Sequence, residues 1–162
     1  MQRIRIVEQA IQEGRYQDAM IQWIQSGREQ EIFRRCLCRF PAAKFENLPP
    51  LMLLVVIATI SKELKPNARL KEEVDWIEMA LRAFLENLPA FEWEQQGAHD
   101  VIKSTTQTMQ LMMGRVRPLI GSIQDGFPTD PFLANLERTK LEGILQMSEH
   151  VLDTFGASRR YE

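Results

Sequence analysis

Cys36-Leu37-Cys38 sets two thiols one residue apart, and closely spaced thiolates are the raw material of zinc sites and redox pairs. Zinc-binding pairs use two or more intervening residues, however, and the histidines, His99 and His150, stand far along the chain with no ligand motif around them. At about 100° per helical residue the two thiols point roughly 200° apart. Cys36 falls on the side of Ile32 and Phe40. Two packing cysteines are the simpler account, and no metal or other cofactor is expected. Two thiols too close for an easy disulfide suit a reducing compartment.

Carboxylates crowd another stretch: Glu72, Glu73, Asp75, Glu78 and Glu86, interrupted by Arg82. Acid–base catalysis would need burial or a cleft to move one of their pKa values, and the spacing reads instead as a solvated strip. The sequence contains no Gly-rich phosphate loop, no Gly-x-Ser-x-Gly turn and no His-Glu-x-x-His. A non-enzyme is expected.

Two further groups would act by binding. Arg28, Arg34, Arg35 and Arg39 form the densest basic group and could receive an acidic or aromatic peptide through charge-assisted or stacking contacts. Glu29 and Glu31 dilute them, so a merely solvated face is the competing account. Met109, Met112 and Met113 could line an adaptable groove for a partner helix, although the same spacing fits core filling.

The chain of 162 residues is long enough for one domain with a sizeable core. Its net charge of −2, from 20 basic and 22 acidic side chains, argues against direct nucleic-acid binding by bulk electrostatics. The longest apolar run, within Pro49 to Ser61, is about half of the roughly 20 residues a membrane span needs. The opening Met-Gln-Arg-Ile-Arg-Ile lacks the apolar core of a signal peptide. The expectation is a soluble, unexported, cytoplasmic chain without a membrane partner.

The elements that must position these groups are helical throughout. Ile4, Val7 and Ile11 define a first helix closed by Gly14. Tyr16, Ala19, Met20, Trp23 and Ile24 define a second, ended by Ser26-Gly27 and paired with the first in an antiparallel hairpin. A third turns Ile32, Phe33, Cys36, Leu37 and Phe40 inward and Arg28, Arg35 and Arg39 outward, with Arg34 at the border. After a connector to Leu48, Pro49-Pro50 open a helix running to about Leu64 that is apolar on every side, hence a buried central post. Lys65-Pro66-Asn67 is a turn with Asn67 as cap, and Leu70, Val74, Ile77, Leu81, Phe84 and Leu88 mark a fifth helix.

Pro89 breaks the chain, Phe91 and Trp93 suit a short helical turn, and Gly97 precedes a helix containing Ile102, Thr105, Met109, Met112, Met113 and Val116 that Pro118 ends or kinks. Gly121 to Asp130 reads as a mobile loop. Asp130-Pro131 should open a last helix, with Leu133, Leu136, Leu141, Ile144, Leu145, Val151, Leu152 and Phe155 inward, closed by Gly156 and followed by a disordered tail from 157 to 162. The fold class is therefore all-α: antiparallel helix pairs around a buried central helix, as a short armadillo/HEAT-like solenoid or an irregular bundle, in one domain from 1 to 156. The first helix could extend an upstream coiled coil and the heptad-like last helix could pair with a copy of itself, although core packing explains both spacings equally well.

Three segments occur in an order that resembles a known family. Glu13-Gly14-Arg15-Tyr16-Gln17-Asp18-Ala19-Met20 is similar to the Gly-x-Tyr/Leu-x-x-Ala-Phe element that begins the C-terminal domain of the enhancer of mRNA-decapping protein 4 family, known as Hedls in animals and Varicose in plants. Cys36 stands where that family often has cysteine. Leu48-Pro49-Pro50-Leu51-Met52-Leu53-Leu54 resembles its Pro-Leu-Ser-Gln-x-Val-Leu-Leu-Ser-Leu segment, with Leu-Met in place of Ser-Gln, and Val74-Asp75-Trp76-Ile77-Glu78 resembles its Leu-x-Trp/Tyr-Leu-x-Glu element. The likeness covers roughly 4 to 120 and leaves the C-terminal addition from 124 unmatched.

The resemblance implies an armadillo/HEAT-related domain at the end of a longer scaffold that binds the decapping enzyme and associated factors in cytoplasmic P bodies. The Gly14 to Met20 turn also suits the helix hairpins of α-solenoid vesicle-coat or tethering adaptors, the alternative.

Overall fold

A computed structural model describes residues 2–88, 98–124, 131–134 and 136–159. The first two helices, α1 (Gln2–Gln12) and α2 (Tyr16–Ile24), are followed by Gly14 at φ 78° and Gly27 at φ 70°. A side chain with a Cβ would be strained in this left-handed backbone. At Gly14 the closure is a Schellman motif: Gly14 N–H donates to Ile11 C=O at 3.0 Å and Arg15 N–H to Ala10 C=O at 2.8 Å. The short link then folds α2 back on α1, and Arg3 donates to Gln22 across the pair.

Helix α3 (Glu29–Arg35) is shorter than its sequence pattern suggests. It stops at Cys36, and the chain tightens into two short 3-10 turns, Leu37–Arg39 and Ala42–Phe45. Phe40 has extended backbone (φ −96°, ψ 140°), the conformation that a following proline imposes. Cys36 and Leu37 are buried as expected, whereas Phe40 is half-buried.

Next come α4 (Pro50–Ser61), α5 (Leu70–Asn87), α6 (Ala98–Gln124) and α7 (Arg138–Arg159), giving seven α-helices and no strand among the described residues. The helices pair as α1 with α2, α4 with α5 and α6 with α7. The second and third pairs stack helix on helix, α4 against α6 and α5 against α7, while α2 meets α4 from the other side. The result is an all-α stack of helix pairs, with α4 touching three neighbours.

Pro50 occupies the first turn of α4, where its missing N–H leaves no bond unmade. Leu53, Leu54, Val56, Ile57 and Ile60 are buried, yet Leu51 is 48% and Val55 39% exposed. The expected wholly buried post is therefore corrected: three neighbouring helices leave one i, i+4 stripe of it facing solvent. The helix ends at Ser61, with Leu64 still buried beyond it. Asn67 organises the following turn instead of capping α5 directly, its Oδ1 accepting from Arg69 N–H at 2.8 Å and its Nδ2 donating to Lys65 C=O at 2.7 Å.

Two expectations for α6 and α7 are revised. Helix α6 runs through Pro118 to Gln124, so Gly121 to Gln124 are helical. The proline ring's usual clash is with the carbonyl four residues back, here that of Gly114. Residues 131–134 form a turn, with Leu133 and Leu136 buried, and α7 begins only at Arg138. It continues past Gly156 to Arg159, so 157–159 are not a tail. The expected turn at Phe91 and Trp93, the loop from 125 to 130 with the Asp130 cap, and residues 160–162 lie outside the described residues.

Five aromatic rings tie the amino-terminal half to α5. Tyr16 meets Phe45 edge-on at 5.3 Å, Phe45 meets Trp76 at 4.5 Å, Trp76 meets Phe33 edge-on at 5.5 Å, and Phe33 meets Trp23 at 6.2 Å. Trp23 satisfies its indole N–H on the Glu29 carbonyl at 2.7 Å. Phe45, from the connector, is fully buried, as is Trp76 to within 1%. Removing a buried ring forfeits its transfer free energy and leaves a cavity, so Phe45→Ala is expected to lower stability by about 3–5 kcal/mol. Urea unfolding measures this; a loss below about 1 kcal/mol would show that the connector collapses around the gap.

Candidate functional site

The four arginines do not form one uniform face. Arg28 and Arg35 are exposed and pair with the same carboxylate, Glu31, at 4.0 and 3.4 Å, one from each side along α3. Arg39 is exposed on the first 3-10 turn. Arg34 turns inward instead, its Nε lying 3.8 Å from Glu73 Oε1. That separation makes an ion pair but is too long for a hydrogen bond. Arg34 Nε is buried with no hydrogen-bond partner. Three of the arginines are thus exposed, while Arg34 is partly buried and directed at Glu73.

Glu73 overturns the expectation of a uniformly solvated strip on α5. It is only 5% exposed, because it sits one turn before Trp76 on the same helical face. Burial pushes its carboxyl from the ordinary 4.5 up to about 7, opposed by the hydrogen bond from Asn67 Nδ2 at 3.2 Å and by the Arg34 charge, and reinforced by nearby Glu72. The cavity beside it, between Trp23, Phe33 and Ile60, holds about 10 Å³, the room of roughly one water. It is too small for an organic substrate.

Asp75, Glu78 and Glu86 of α5 rim an open groove, while Glu72 pairs with Arg69 at 3.7 Å. Asp75, Glu78, Met79, Arg82, Leu85 and Glu86 recur every three or four residues along one side of the helix. Between them and the Ala42–Phe45 turn lies a trough of about 410 Å³, which also reaches Glu46. Between α5 and α7 lies a second of about 540 Å³, reaching Gly143 and Met147. Glu78, Arg82 and Lys140 line both, so the two troughs adjoin. Lys140 crosses from α7 to bond Asp75 and approach Glu78 at 3.8 Å, while Arg82 approaches Glu78 at 3.7 Å.

Met79 and Met147 carry the apolar lining here, whereas Met109, Met112 and Met113 fill the core. The available signal was local: Met79 and Leu85 are apolar residues off the buried stripe of α5 and beside its acidic one.

Burial pushes the Cys36 thiol up to about 12 and raises that of Cys38, which donates to Arg34 C=O at 3.1 Å. Neither is a ready thiolate. Among the described residues no three His, Cys, Asp or Glu side chains gather as a metal site, and no helix is long and apolar enough to cross a membrane. Comparison with known proteins finds no matching family model, curated protein or solved structure.

Between pH 4.5 and about 7 folded Glu73 holds a proton that the unfolded chain releases. Stability therefore falls as pH rises through that window, by about 3 kcal/mol from this group. Glu73→Gln, which never ionises, should lose this slope and gain stability relative to the native chain above pH 7. Urea midpoints at acidic and alkaline pH measure both; an equal slope in the two proteins would show that Glu73 titrates as an exposed carboxylate.

Proposed function

We propose that this chain is a non-catalytic protein–protein interaction module of an mRNA decapping scaffold, acting in the cytoplasm and in P bodies and binding the decapping enzyme with its associated factors. The observation that carries this reading is the ordered resemblance of three segments to the enhancer of mRNA-decapping protein 4 family. Its support is that the resembling residues hold fold-determining positions: Gly14 closes α1, Ala19 and Met20 are buried in α2, Pro50 opens α4, and Trp76 centres the aromatic cluster. Residues with such duties are the ones a shared fold would retain.

The stack of helix pairs also favours a second reading, an α-solenoid fragment of a vesicle-coat or tethering adaptor. Partner identity separates the two.

In the decapping reading Arg28, Arg35 and Arg39 supply the basic contact, and Arg34 holds Glu73 beneath them. Arg35→Glu with Arg39→Glu changes only exposed side chains, one of them in a surface ion pair worth about 0–1 kcal/mol, so the fold should persist. Titration with segments of the decapping enzyme is expected to give binding that weakens about tenfold in this variant while helical circular dichroism is unchanged. Undiminished binding would remove the arginines from the interface, and no binding by the native chain would remove the decapping enzyme as partner.

A further inference from the structure

The groove along α5 has the features of a docking surface. Its floor is apolar but incompletely covered: Met79 and Ala83 lie in one trough, Leu85 and Met147 in the other. Met79, Leu85 and Met147 pack one side against the core and leave the other toward the groove. Methionine adapts to varied apolar shapes, which suits a surface that receives side chains from outside.

The rim has a definite sign. Glu46, Asp75, Glu78 and Glu86 oppose Arg82 and Lys140, four acidic side chains against two basic ones. The two cations are already engaged, Lys140 with Asp75 and Glu78, and Arg82 with Glu78. These pairs leave Glu46 and Glu86 without an ion pair among the described residues. A ligand complementary to this surface is apolar where it meets the floor and positively charged at its ends.

Gly143 on α7 lines the second trough. Glycine in mid-helix is less stable than alanine. No positive φ requires it here, and a Cβ at this position would meet nothing within 4 Å. An alanine would therefore fit here as well, and only a large side chain would fill the second trough.

We propose that this groove docks a basic, apolar segment of a protein partner, with one apolar side chain in each trough and Lys or Arg side chains against Glu46 and Glu86. The span from Asp75 to Glu86, about 17 Å along the helix axis, accommodates roughly three turns of a docked helix. The proposal rests on the protein-interaction function above and names a surface and a partner chemistry for it.

A random peptide library displayed on phage, selected against the full chain, tests it. The expected result is enrichment of basic, apolar peptides whose binding weakens at least about tenfold in two variants, Gly143→Trp, which fills the trough, and Glu46→Lys with Glu86→Lys, which reverses the unpaired rim. Gly143→Ala should bind as the native chain does and unfold at a higher temperature. Should Gly143→Trp misfold, the exposed charge-reversal pair decides alone. Peptides that bind either folded variant undiminished, or no enriched peptide at all, would overturn the groove. Enrichment of acidic peptides that are lost on Arg35→Glu with Arg39→Glu would also overturn it, while leaving the interaction function standing on α3. Only failure of both the selection and the titration with decapping-enzyme segments would remove the two together.

Discussion

The contact of Trp76 with Phe33 on one side and Phe45 on the other is the interaction on which the amino-terminal half depends. Helix α3 has 7 residues, too few to be stable without tertiary packing, and the connector after it consists of single turns. Neither could hold a position alone. The indole of α5 gives both a common anchor, and Tyr16 and Trp23 extend the contact to α2.

The same packing explains an otherwise unfavourable feature. Glu73 shares a helical face with Trp76, so burying the ring draws the carboxylate inward, where ionisation is costly. Arg34 follows Phe33 in sequence and is carried to the same place, offering a nearby positive charge. The ion pair is best understood as a consequence of the aromatic packing, compensated in part by Asn67 from the preceding turn.

Features set by local chemistry were legible in the residues alone. Gly14 and Gly27 mark left-handed closures, Pro50 marks a helix start, and the alternating three- and four-residue spacing from Leu70 marks the buried stripe of α5. Features set by distant partners were not. Phe45 sits in a connector whose sequence has no periodicity, and Trp76 lies beside the regular stripe instead of on it; only the approach of α3 and the connector buries them. Val55 and Leu51 look like core by composition, but among the described residues no helix covers that side of α4. The groove depends on α7 lying beside α5, a contact between helices far apart in sequence, so its acidic rim resembled an ordinary solvated strip.

Helix α5 thus works on two sides. One side, through Trp76 and Glu73, secures α3 and leaves Arg28, Arg35 and Arg39 outside; the other, through Asp75 and Glu78, engages Lys140 and shapes the groove. Two surfaces of opposite charge on one small helical stack suit a module that joins proteins together. Affinity purification of the chain from its native cells, with quantitative mass spectrometry of what accompanies it, addresses the central claim most directly. The decapping enzyme and decapping factors should be enriched over an unrelated bait; enrichment of coat or tethering subunits in their place, or of no decapping factor, would contradict it.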